Sequence, residues 1–446
     1  MHAVRSVLAG AGHPLYLGCG PEGVAFARPQ QAVLVLGPPR SGKTSAVVVP
    51  TVLSAGGAVV STSTKTDVMD VTAAARSELG RCWLYDPSGS VPCPSGIRPV
   101  RWSPVPASAD WDAALLLARA LVRASHPASG VGDWNHWQER AEALLAPLLH
   151  AAALGGAGLG AVMGWVNRRQ LGDARAILEG EPVRAPGTVI AGDVLAGLAA
   201  TEPRELSGIW STAAGALAAY RSAPALAAAD APNFDARAFV QSGDTVYVCG
   251  SSRHQALLAP LVIGLLEEIR SATYARPPDQ IPVVLALDEV ANIAPLPDLP
   301  AMVSEGGGQG ILTLACFQDL SQARARWGVA ADGFLSLFGT TMILPGIGDL
   351  RTLEAVSALC GDIDVPLLTA TAPWWPSGVA SPSVSITTRR QRRVPVDAVA
   401  YGQAGTAYVL DGQRGPSRVV LTPWYDWPPF RDVGSRSRLT RGMMQP

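Results

Sequence analysis

The sequence predicts an α/β protein in which an all-α segment interrupts a mostly parallel sheet. Three observations carry this prediction. Short apolar or β-branched stretches alternate with helical stretches over the first hundred residues, helical stretches alone occupy about 105 to 230, and strand-like stretches then return. Such alternation is typical of parallel sheets with crossover helices. We therefore expect one sheet that is completed after a helical insertion.

The strand pattern occurs eight times, in short apolar runs that are separated by helical or turn-forming stretches. Three runs precede the insertion and five follow it, at 31–37, 57–62, 82–86, 244–249, 281–287, 311–316, 341–345 and 405–410. The sheet is therefore expected to take strands from both ends of the chain.

The insertion is predicted to be helical throughout. Stretches such as "DAALLLARALVRA" and "QERAEALLAPLLHAAA" place apolar residues at helical spacing. Residues 143–166 carry no charged side chain and are long enough to cross a bilayer. They are alanine-rich, however, and the glycines in "GGAGLG" would break such a helix at its centre. We predict two packed helices joined by a glycine turn.

Composition limits the classes of protein to which the chain belongs. With 446 residues, 48% hydrophobic and 16% charged, the chain is globular, and its net charge of −1 provides no global field that attracts nucleic acid. The six cysteines lie far apart without a CxxC pair, which argues against a zinc site or a disulfide framework and fits a reducing cytosol. The first 30 residues lack the pattern of a signal peptide, so secretion is not expected.

A phosphate-binding loop follows the first predicted strand. Glycines let such a loop wrap closely around phosphate, and its N–H groups form an anion site with the next helix terminus. Its lysine is expected to reach the β- and γ-phosphates, and its threonine to place a hydroxyl on Mg²⁺. The pattern G-P-P-R-S-G-K-T, followed by serine, comprises Gly37, Pro38, Pro39, Arg40, Ser41, Gly42, Lys43, Thr44 and Ser45.

Two later strand ends supply the partners that such a loop needs. In "VVLALDE", Asp288 is expected to hold Mg²⁺ through its water shell and Glu289 to polarise the attacking water. The strand "LTLACFQ" ends in Gln318, whose amide is expected to sense the γ-phosphate. Arg253 follows a further strand end and is a candidate nucleotide contact.

The long stretch "LALDEVANIAPLPDLPAMVSEGGGQGILTLACFQDLSQARARWG" resembles the signature of type IV secretion coupling proteins, the conjugative DNA-transfer ATPases. The resemblance continues in "GDTVYVCGSSRHQALLAPLVIGLLEEI", "ALCGDIDVP" and "RRQRRVPVDAVA", and it covers roughly residues 15 to 425. It implies a RecA-like P-loop ATPase domain that an all-α domain interrupts. The expected division is 1–104 and 236–430 for the nucleotide-binding domain, 105–235 for the insertion and 431–446 for a flexible tail.

The resemblance also implies cofactors, partners and a location. The cofactors are ATP and Mg²⁺. The partners are single- or double-stranded DNA without sequence preference, relaxase and secretion-channel proteins, and the active form is a homo-hexamer. The expected location is the cytoplasm at the inner face of the cell membrane, with membrane association through partners alone.

The chain departs from the family pattern in three places. The family's Asp-Pro-Lys-Gly-Glu element reads S-T-K-T-D at 63–67, which retains Lys65 but not the leading Asp. The family's glycine turn often holds an arginine that acts on a neighbouring subunit's nucleotide, whereas 306–308 are all glycine. The first residues of the chain lead almost directly into the predicted sheet, so we expect a soluble branch of the family or one that a separate membrane partner recruits. Candidates for the trans-acting residue are Arg324, Arg326 and Arg351, with Arg326 favoured.

Two further groups of side chains have a structural and a functional interpretation. The basic run of residues 389–393 is expected to be a solvated loop, or to follow DNA phosphates inside a ring. Trp134 and Trp137 lie at helical spacing and are expected to be packing anchors rather than base-stacking platforms.

Three functions stay open at this point. The first is an oligomeric motor that pumps DNA or relaxase-bound DNA to a secretion channel. The second is a nucleotide-gated docking adaptor with little hydrolysis, which the missing arginine favours. The third is a related pump for protein substrates.

Overall fold

A computed structural model describes residues 15–125, 133–180, 185–250, 253–277, 279–371, 383–412, 414–428 and 430–432. The expected tail at 431–446 therefore falls almost entirely outside the described residues. The strands are β1 (Tyr16–Gly20), β2 (Gly23–Phe26), β3 (Val33–Leu36), β4 (Val59–Ser63), β5 (Cys82–Tyr85), β6 (Arg98–Pro99), β7 (Thr245–Cys249), β8 (Val283–Leu287), β9 (Ile311–Phe317), β10 (Thr340–Ile343), β11 (Asp362–Thr371), β12 (Ser383–Arg392), β13 (Thr406–Asp411) and β14 (Arg414–Val420).

Twelve of these strands form one sheet in the order β2-β1-β14-β13-β10-β3-β9-β8-β4-β7-β5-β6. The run from β10 to β6 is parallel, and the strands from β2 to β13 extend it by antiparallel pairing. All eight predicted strands are present, in the parallel part or, for 405–410, directly beside it. The predicted α/β class is confirmed.

Helices cover both faces of the sheet and fill the insertion. Those outside the insertion are Val49–Ser54, Asp67–Arg76, Gln255–Tyr274, Val290–Ile293, Leu299–Glu305, Leu320–Trp327, Phe334–Leu337, Leu350–Leu359 and Val396–Ala400. Those of the insertion are Pro104–Ala107, Trp111–Ser125, Asp133–Leu154, Leu159–Arg168, Gly172–Gly180, Pro186–Ala199, Pro203–Ala216 and Ala223–Ala229, and Ala236–Val240 follows the insertion before β7. A π-helical turn, Thr44–Val48, leads into Val49–Ser54, and 3-10 turns span Ala218–Arg221 and Gly328–Gly333.

Each face of the sheet has its own apolar core. Along β3, Leu34 and Leu36 face one core while Val33 and Val35 face the other, and all four are fully buried. Strands that are buried on both faces read as continuous apolar runs, which is why the sequence pattern of β3 is "VLVL". The core on the side of Leu34 is continuous with the apolar interior of the helical insertion.

Residues 143–166 form two helices, as predicted. Asp133–Leu154 and Leu159–Arg168 are joined through a turn in which Gly156 has a φ of +64°. That backbone conformation carries little cost for glycine alone. In the part of the chain that the structure describes, no helix is both long and apolar enough to cross a membrane.

An aromatic contact next to the insertion joins the two parts of the expected nucleotide-binding domain. The Trp102 indole lies against Gly264, where a Cβ would come within 2.4 Å of the ring. Its N–H donates to the Glu268 carboxyl at 2.5 Å. Because burial is the dominant cause, the pKa of Glu268 rises to about 7.

The strands that the sequence did not predict are the antiparallel strands β1, β2 and β14, the two-residue β6, and the separate hairpin of β11 and β12. The expectation of a solvated loop at 389–393 is wrong, because Arg389 to Arg392 belong to β12. β11 and β12 pair over ten residues, from the pair of Asp362 with Arg392 to the pair of Thr371 with Ser383. Exposed side chains line both faces of this hairpin, so the apolar alternation that usually signals a strand is missing.

Candidate nucleotide site

The phosphate-binding loop lies at the carboxyl end of β3, in the middle of the parallel strands. The N–H of Gly37 donates to the carbonyl of Phe317 on the neighbouring β9, at 3.1 Å. A Cβ at Gly37 would lie 2.8 Å from the Ser41 hydroxyl and 2.9 Å from Leu344, so only glycine fits. Gly42 has a φ of +94°, which also favours glycine. Sterics therefore explain both glycines of the motif.

The ammonium of Lys43 lies inside the loop. It donates hydrogen bonds to the carbonyl oxygens of Gly37, at 2.5 Å, and Pro38, at 2.9 Å. The side chain is nearly buried. The loop thus holds its cation at the centre of the anion site, on backbone oxygens that a phosphate can displace.

Thr44 connects the loop with β8. Its hydroxyl donates to the Asp288 carboxylate at 2.7 Å, across 244 residues of sequence. Two contacts with β4 fix Asp288: its N–H donates to the carbonyl of Thr62 at 3.3 Å, and its own carbonyl accepts the Thr62 hydroxyl at 3.1 Å. The structure therefore places the two predicted Mg²⁺-binding side chains in direct contact.

The carboxyl of Asp288 titrates well above its ordinary range. Burial is the largest cause and raises its pKa from 3.8 to about 6, against the opposing effects of the Thr44 hydrogen bond and the Lys43 charge. The positive charge near Asp288 is therefore too small to offset the cost of burying its ionised carboxylate. Mg²⁺ takes few protein ligands and keeps waters and phosphate oxygens, so a hydroxyl and one such carboxylate fit it.

We expect Asp288→Asn to stabilise the nucleotide-free protein above pH 6. The folded-state pKa exceeds the unfolded value, so ionisation of Asp288 costs stability, by up to about 3 kcal/mol at pH 7. This cost disappears as the pH falls from 6 towards 4. Thermal unfolding of both proteins at pH 8 and pH 4.5 tests it. An equal difference at the two pH values would contradict the assignment.

Glu289 has an unusual backbone conformation. Its φ and ψ are 54° and 45°, in the left-handed region, at the junction of β8 and the helix Val290–Ile293. For a residue with a Cβ this conformation costs about 1–2 kcal/mol. Glu289 lines the same cavity as Asp288. Strain of this kind is common where the fold orients a functional side chain.

These residues surround one open cavity of about 680 Å³. The loop, the end of β8, the turn after β4 and the C-terminal segment all contribute to its wall. The lining residues are Pro39, Arg40, Ser41, Gly42, Lys43, Thr44, Ser45, Val49, Ser63, Thr64, Lys65, Asp67, Asp70, Val71, Asp288, Glu289 and Trp424.

Trp424 is a member of this wall that the sequence did not reveal. The backbone N–H of Trp424 donates to the Ser45 carbonyl at 3.0 Å, and the residue is 5% exposed. Trp424 follows β14, which belongs to the antiparallel part of the sheet, and the chain after β14 contacts the phosphate-binding loop. No motif marks such a residue, because only the path of the chain brings it to the cavity.

Gln318 and two other candidate site residues lie outside this wall. Gln318 follows β9 beside the loop, and its backbone N–H donates to the side-chain oxygen of Gln322 at 2.9 Å. Arg253 is exposed beyond β7. Arg326 lines a separate groove of about 330 Å³ with Arg123 of the insertion. The structure therefore does not bring Arg253 or Arg326 to the cavity of their own chain.

The glycine turn, residues 306–308, lies at the amino ends of the parallel strands, opposite to the phosphate-binding loop at their carboxyl ends. It precedes β9 and contacts Gln30, which precedes β3, whereas the phosphate-binding loop follows β3. A Cβ at Gly307 would lie 1.8 Å from the Gln30 carbonyl oxygen, so Gly307 cannot be replaced without a backbone shift. Gly308 has room, with its nearest contact at 3.6 Å. The turn and the cavity of the same chain therefore lie at opposite ends of the parallel strands.

The tryptophan pair has a packing role, in line with the structural interpretation. A Cβ at Gly208 would lie 2.4 Å from the Trp137 ring, which shows how closely this ring packs on the helix Pro203–Ala216. Trp134 is half-buried on the same helix as Trp137.

Solved structures with the same fold include the bacterial conjugative coupling protein TrwBdeltaN70 in an unbound form. It has a TM-score of 0.67 at 18% identity, over 88% of this chain and 85% of that one. TrwB in complex with the ATP analogue ADPNP gives a TM-score of 0.66 at 19% identity, over 89% of this chain and 86% of that one. TrwB in complex with ADP and Mg²⁺ gives a TM-score of 0.65 at 18% identity, over 88% of this chain and 86% of that one.

Sequence comparisons give the family. Among curated proteins no sequence match was found. A family profile described as "Type IV secretory system Conjugative DNA transfer" matches residues 7–372. That range includes the phosphate-binding loop, the insertion, the Asp288–Glu289 pair and the glycine turn. The resemblance in the sequence is thus confirmed, and the chain belongs to the conjugative DNA-transfer family of type IV secretion systems.

Proposed function

We propose that the chain is an ATP-hydrolysing coupling protein that moves DNA, or a relaxase bound to DNA, to a type IV secretion channel. The contact between Thr44 and Asp288, 2.7 Å long, carries this proposal, because it joins the phosphate-binding loop to the acidic end of β8. TrwB, which has the same fold, was crystallised with an ATP analogue and with ADP and Mg²⁺.

Four side chains of the cavity have direct roles in this reaction. Lys43 exchanges its two carbonyl partners for β- and γ-phosphate oxygens, and the loop N–H groups bind the remaining charge. Thr44 and Asp288 hold Mg²⁺, which supplies charge neutralisation at the phosphates. Glu289 orients the attacking water and accepts its proton. Gln318, at the next strand end, responds to the γ-phosphate.

The assembly that we propose is a homo-hexameric ring. Arg326 lies in a groove separate from the cavity of its own chain, so we expect it to act on another subunit's nucleotide. We assign the trans-acting role to Arg326, and a peripheral nucleotide contact to Arg253. DNA is bound without sequence preference through phosphates, and partner proteins hold the ring at the inner face of the membrane.

The test of this function is ATP hydrolysis with and without DNA. We expect turnover to rise strongly when micromolar single- or double-stranded oligonucleotide is added, with little dependence on sequence. Stimulation should weaken between 50 and 200 mM salt, because phosphate contacts release counterions. Turnover that DNA does not change would contradict a DNA motor and favour a pump for protein substrates.

A docking adaptor is the second candidate, and the structure of the glycine turn favours it. Gly307 has no space for the side chain that would stimulate a neighbour. For an adaptor, ATP should bind tightly, with turnover near zero at all DNA concentrations. Equilibrium binding of an ATP analogue, measured beside turnover, separates the two functions.

Glu289→Gln should separate nucleotide binding from hydrolysis. The amide occupies the same space but cannot accept a proton, so we expect ATP and Mg²⁺ affinity to stay within about threefold while turnover falls about 10²- to 10⁴-fold. Binding is measured by calorimetry and turnover by phosphate release. If Glu289→Gln loses ATP affinity as Lys43→Ala does, the division of roles between Asp288 and Glu289 is wrong.

A further inference from the structure

We propose that Lys65 is a second cationic nucleotide contact, which binds the γ-phosphate of ATP from the turn after β4. The inference rests on the proposed function, since it requires ATP in the cavity. It assigns to the cavity a cation from the same subunit, beside the loop lysine. Three independent features of the chain carry it.

The first feature is the use of lysine in the whole sequence. The chain contains only two lysines, Lys43 and Lys65, among 35 basic residues. Every other cationic side chain is arginine, including all those on exposed helices and on β12. Both lysines line the one cavity that contains the phosphate-binding loop. A compact ammonium with three donors suits a point contact with phosphate oxygen, whereas the arginine fork is wider and planar.

The second feature is the position of Lys65 in the sheet. β4 is the direct parallel neighbour of β8, with Thr62 opposite Leu287. The residues that follow the two strands therefore meet at the same edge, Lys65 on one side and Asp288 and Glu289 on the other. The side chain of Lys65 is exposed and borders the cavity.

The turn that carries Lys65 is held by its own hydrogen bonds. The Ser63 hydroxyl accepts the N–H of Lys65 at 3.2 Å and donates to the Asp67 carboxylate at 3.3 Å. That carboxylate also accepts the N–H of Val68 at 2.9 Å. Ser63 stands where the resemblance leads one to expect an aspartate, and a neutral hydroxyl performs the local bonding without adding negative charge.

The third feature is the charge around the cavity. Its wall contains four carboxylates, on Asp67, Asp70, Asp288 and Glu289, and only three cations. ATP brings further negative charge, and Lys43 lies deep inside the loop. Apart from Lys43, the lining cations are Lys65 and Arg40, and Arg40 belongs to the loop itself. Lys65 is therefore the cation that the opposite wall offers to the terminal phosphate.

The two-lysine composition allows a direct test by amine modification. The full chain is treated briefly with a lysine-acylating reagent, alone, with a non-hydrolysable ATP analogue and Mg²⁺, or with ADP and Mg²⁺, and each lysine is quantified by mass spectrometry. We expect the ATP analogue to slow modification of Lys65 about tenfold and ADP to slow it less than twofold. The N-terminal amine serves as the internal control.

The outcomes separate this inference from the proposed function. If the ATP analogue protects Lys43 but leaves Lys65 as reactive as in the free protein, the inference is wrong and the ATP site stands. If neither lysine is protected at any nucleotide concentration, the proposed ATP site falls and the inference with it. Equal protection of Lys65 by ADP and by the ATP analogue also contradicts a γ-phosphate contact.

Affinity measurements on variants give a second readout. Lys65→Ala should weaken binding of the ATP analogue about tenfold, or about 1.4 kcal/mol, and leave ADP affinity within twofold. Lys65→Arg keeps the charge and should restore part of the preference for ATP. The matched control is Arg81→Ala, which removes an exposed cation at the opposite edge of the sheet. An unchanged ATP-to-ADP ratio in Lys65→Ala would overturn the inference.

Discussion

Lys43→Ala abolishes ATP turnover, by a factor of about 10³ or more, and removes most of the affinity for ATP. The ammonium is the one cation inside the loop, where it contacts the carbonyls of Gly37 and Pro38. The loop otherwise offers the phosphates backbone N–H dipoles, whose partial charges cannot neutralise the β- and γ-phosphates without this ammonium. Preorganised charge of this kind provides the largest electrostatic contribution to phosphoryl transfer.

Turnover is measured by phosphate release and affinity by calorimetry. The control for folding is the thermal midpoint without nucleotide, which should shift little because the Lys43 ammonium donates its hydrogen bonds to two carbonyls of the loop's own backbone. Hydrolysis at the unmodified rate would refute the phosphate-binding loop as the catalytic centre. Loss of folding, seen as a lost cooperative transition, would be separated from a catalytic defect by Lys43→Arg, which retains the charge.

Arg326→Ala lowers turnover about 10³- to 10⁵-fold, the range of a trans-acting arginine, while ATP affinity stays near that of the unmodified protein. Neighbouring contacts fix the helix that carries it: Arg324 pairs with Asp349 at 2.6 Å, and the Trp327 N–H donates to the Leu296 carbonyl at 2.8 Å. Among the described residues, no carboxylate forms an ion pair with Arg326. It is thus the arginine of this helix that is available to a neighbour.

Mixing two inactive variants tests action in trans. In the proposed ring, Arg326→Ala subunits keep intact cavities but lack the arginine, and Lys43→Ala subunits keep the arginine but lack a working loop. A mixture should regain part of the activity, because a Lys43→Ala subunit supplies Arg326 to its neighbour's cavity. No recovery, or full turnover of Arg326→Ala alone, contradicts the assignment. A comparable loss in Arg351→Ala with none in Arg326→Ala moves the role to Arg351.

The sequence by itself determined the central strands and the motifs at their ends. β3 and β8 are buried on both faces, so their apolar runs stand out in the sequence, and the positive φ of Gly42 is a local requirement of the loop. The helices between β6 and β7 could also be predicted, since they repeat apolar residues at a fixed spacing. These are properties of short segments, which depend little on distant parts of the chain.

The tertiary structure alone decided the features that depend on long-range contacts. The hairpin of β11 and β12 exposes both faces, so no burial pattern marks its strands in the sequence. Trp424 reaches the cavity because β14 returns along the antiparallel side of the sheet. Gly307 is confined by Gln30, 277 residues earlier in the chain, and Lys65 borders the cavity because β4 pairs with β8. Such contacts arise from strand order, which residue patterns within single segments do not encode.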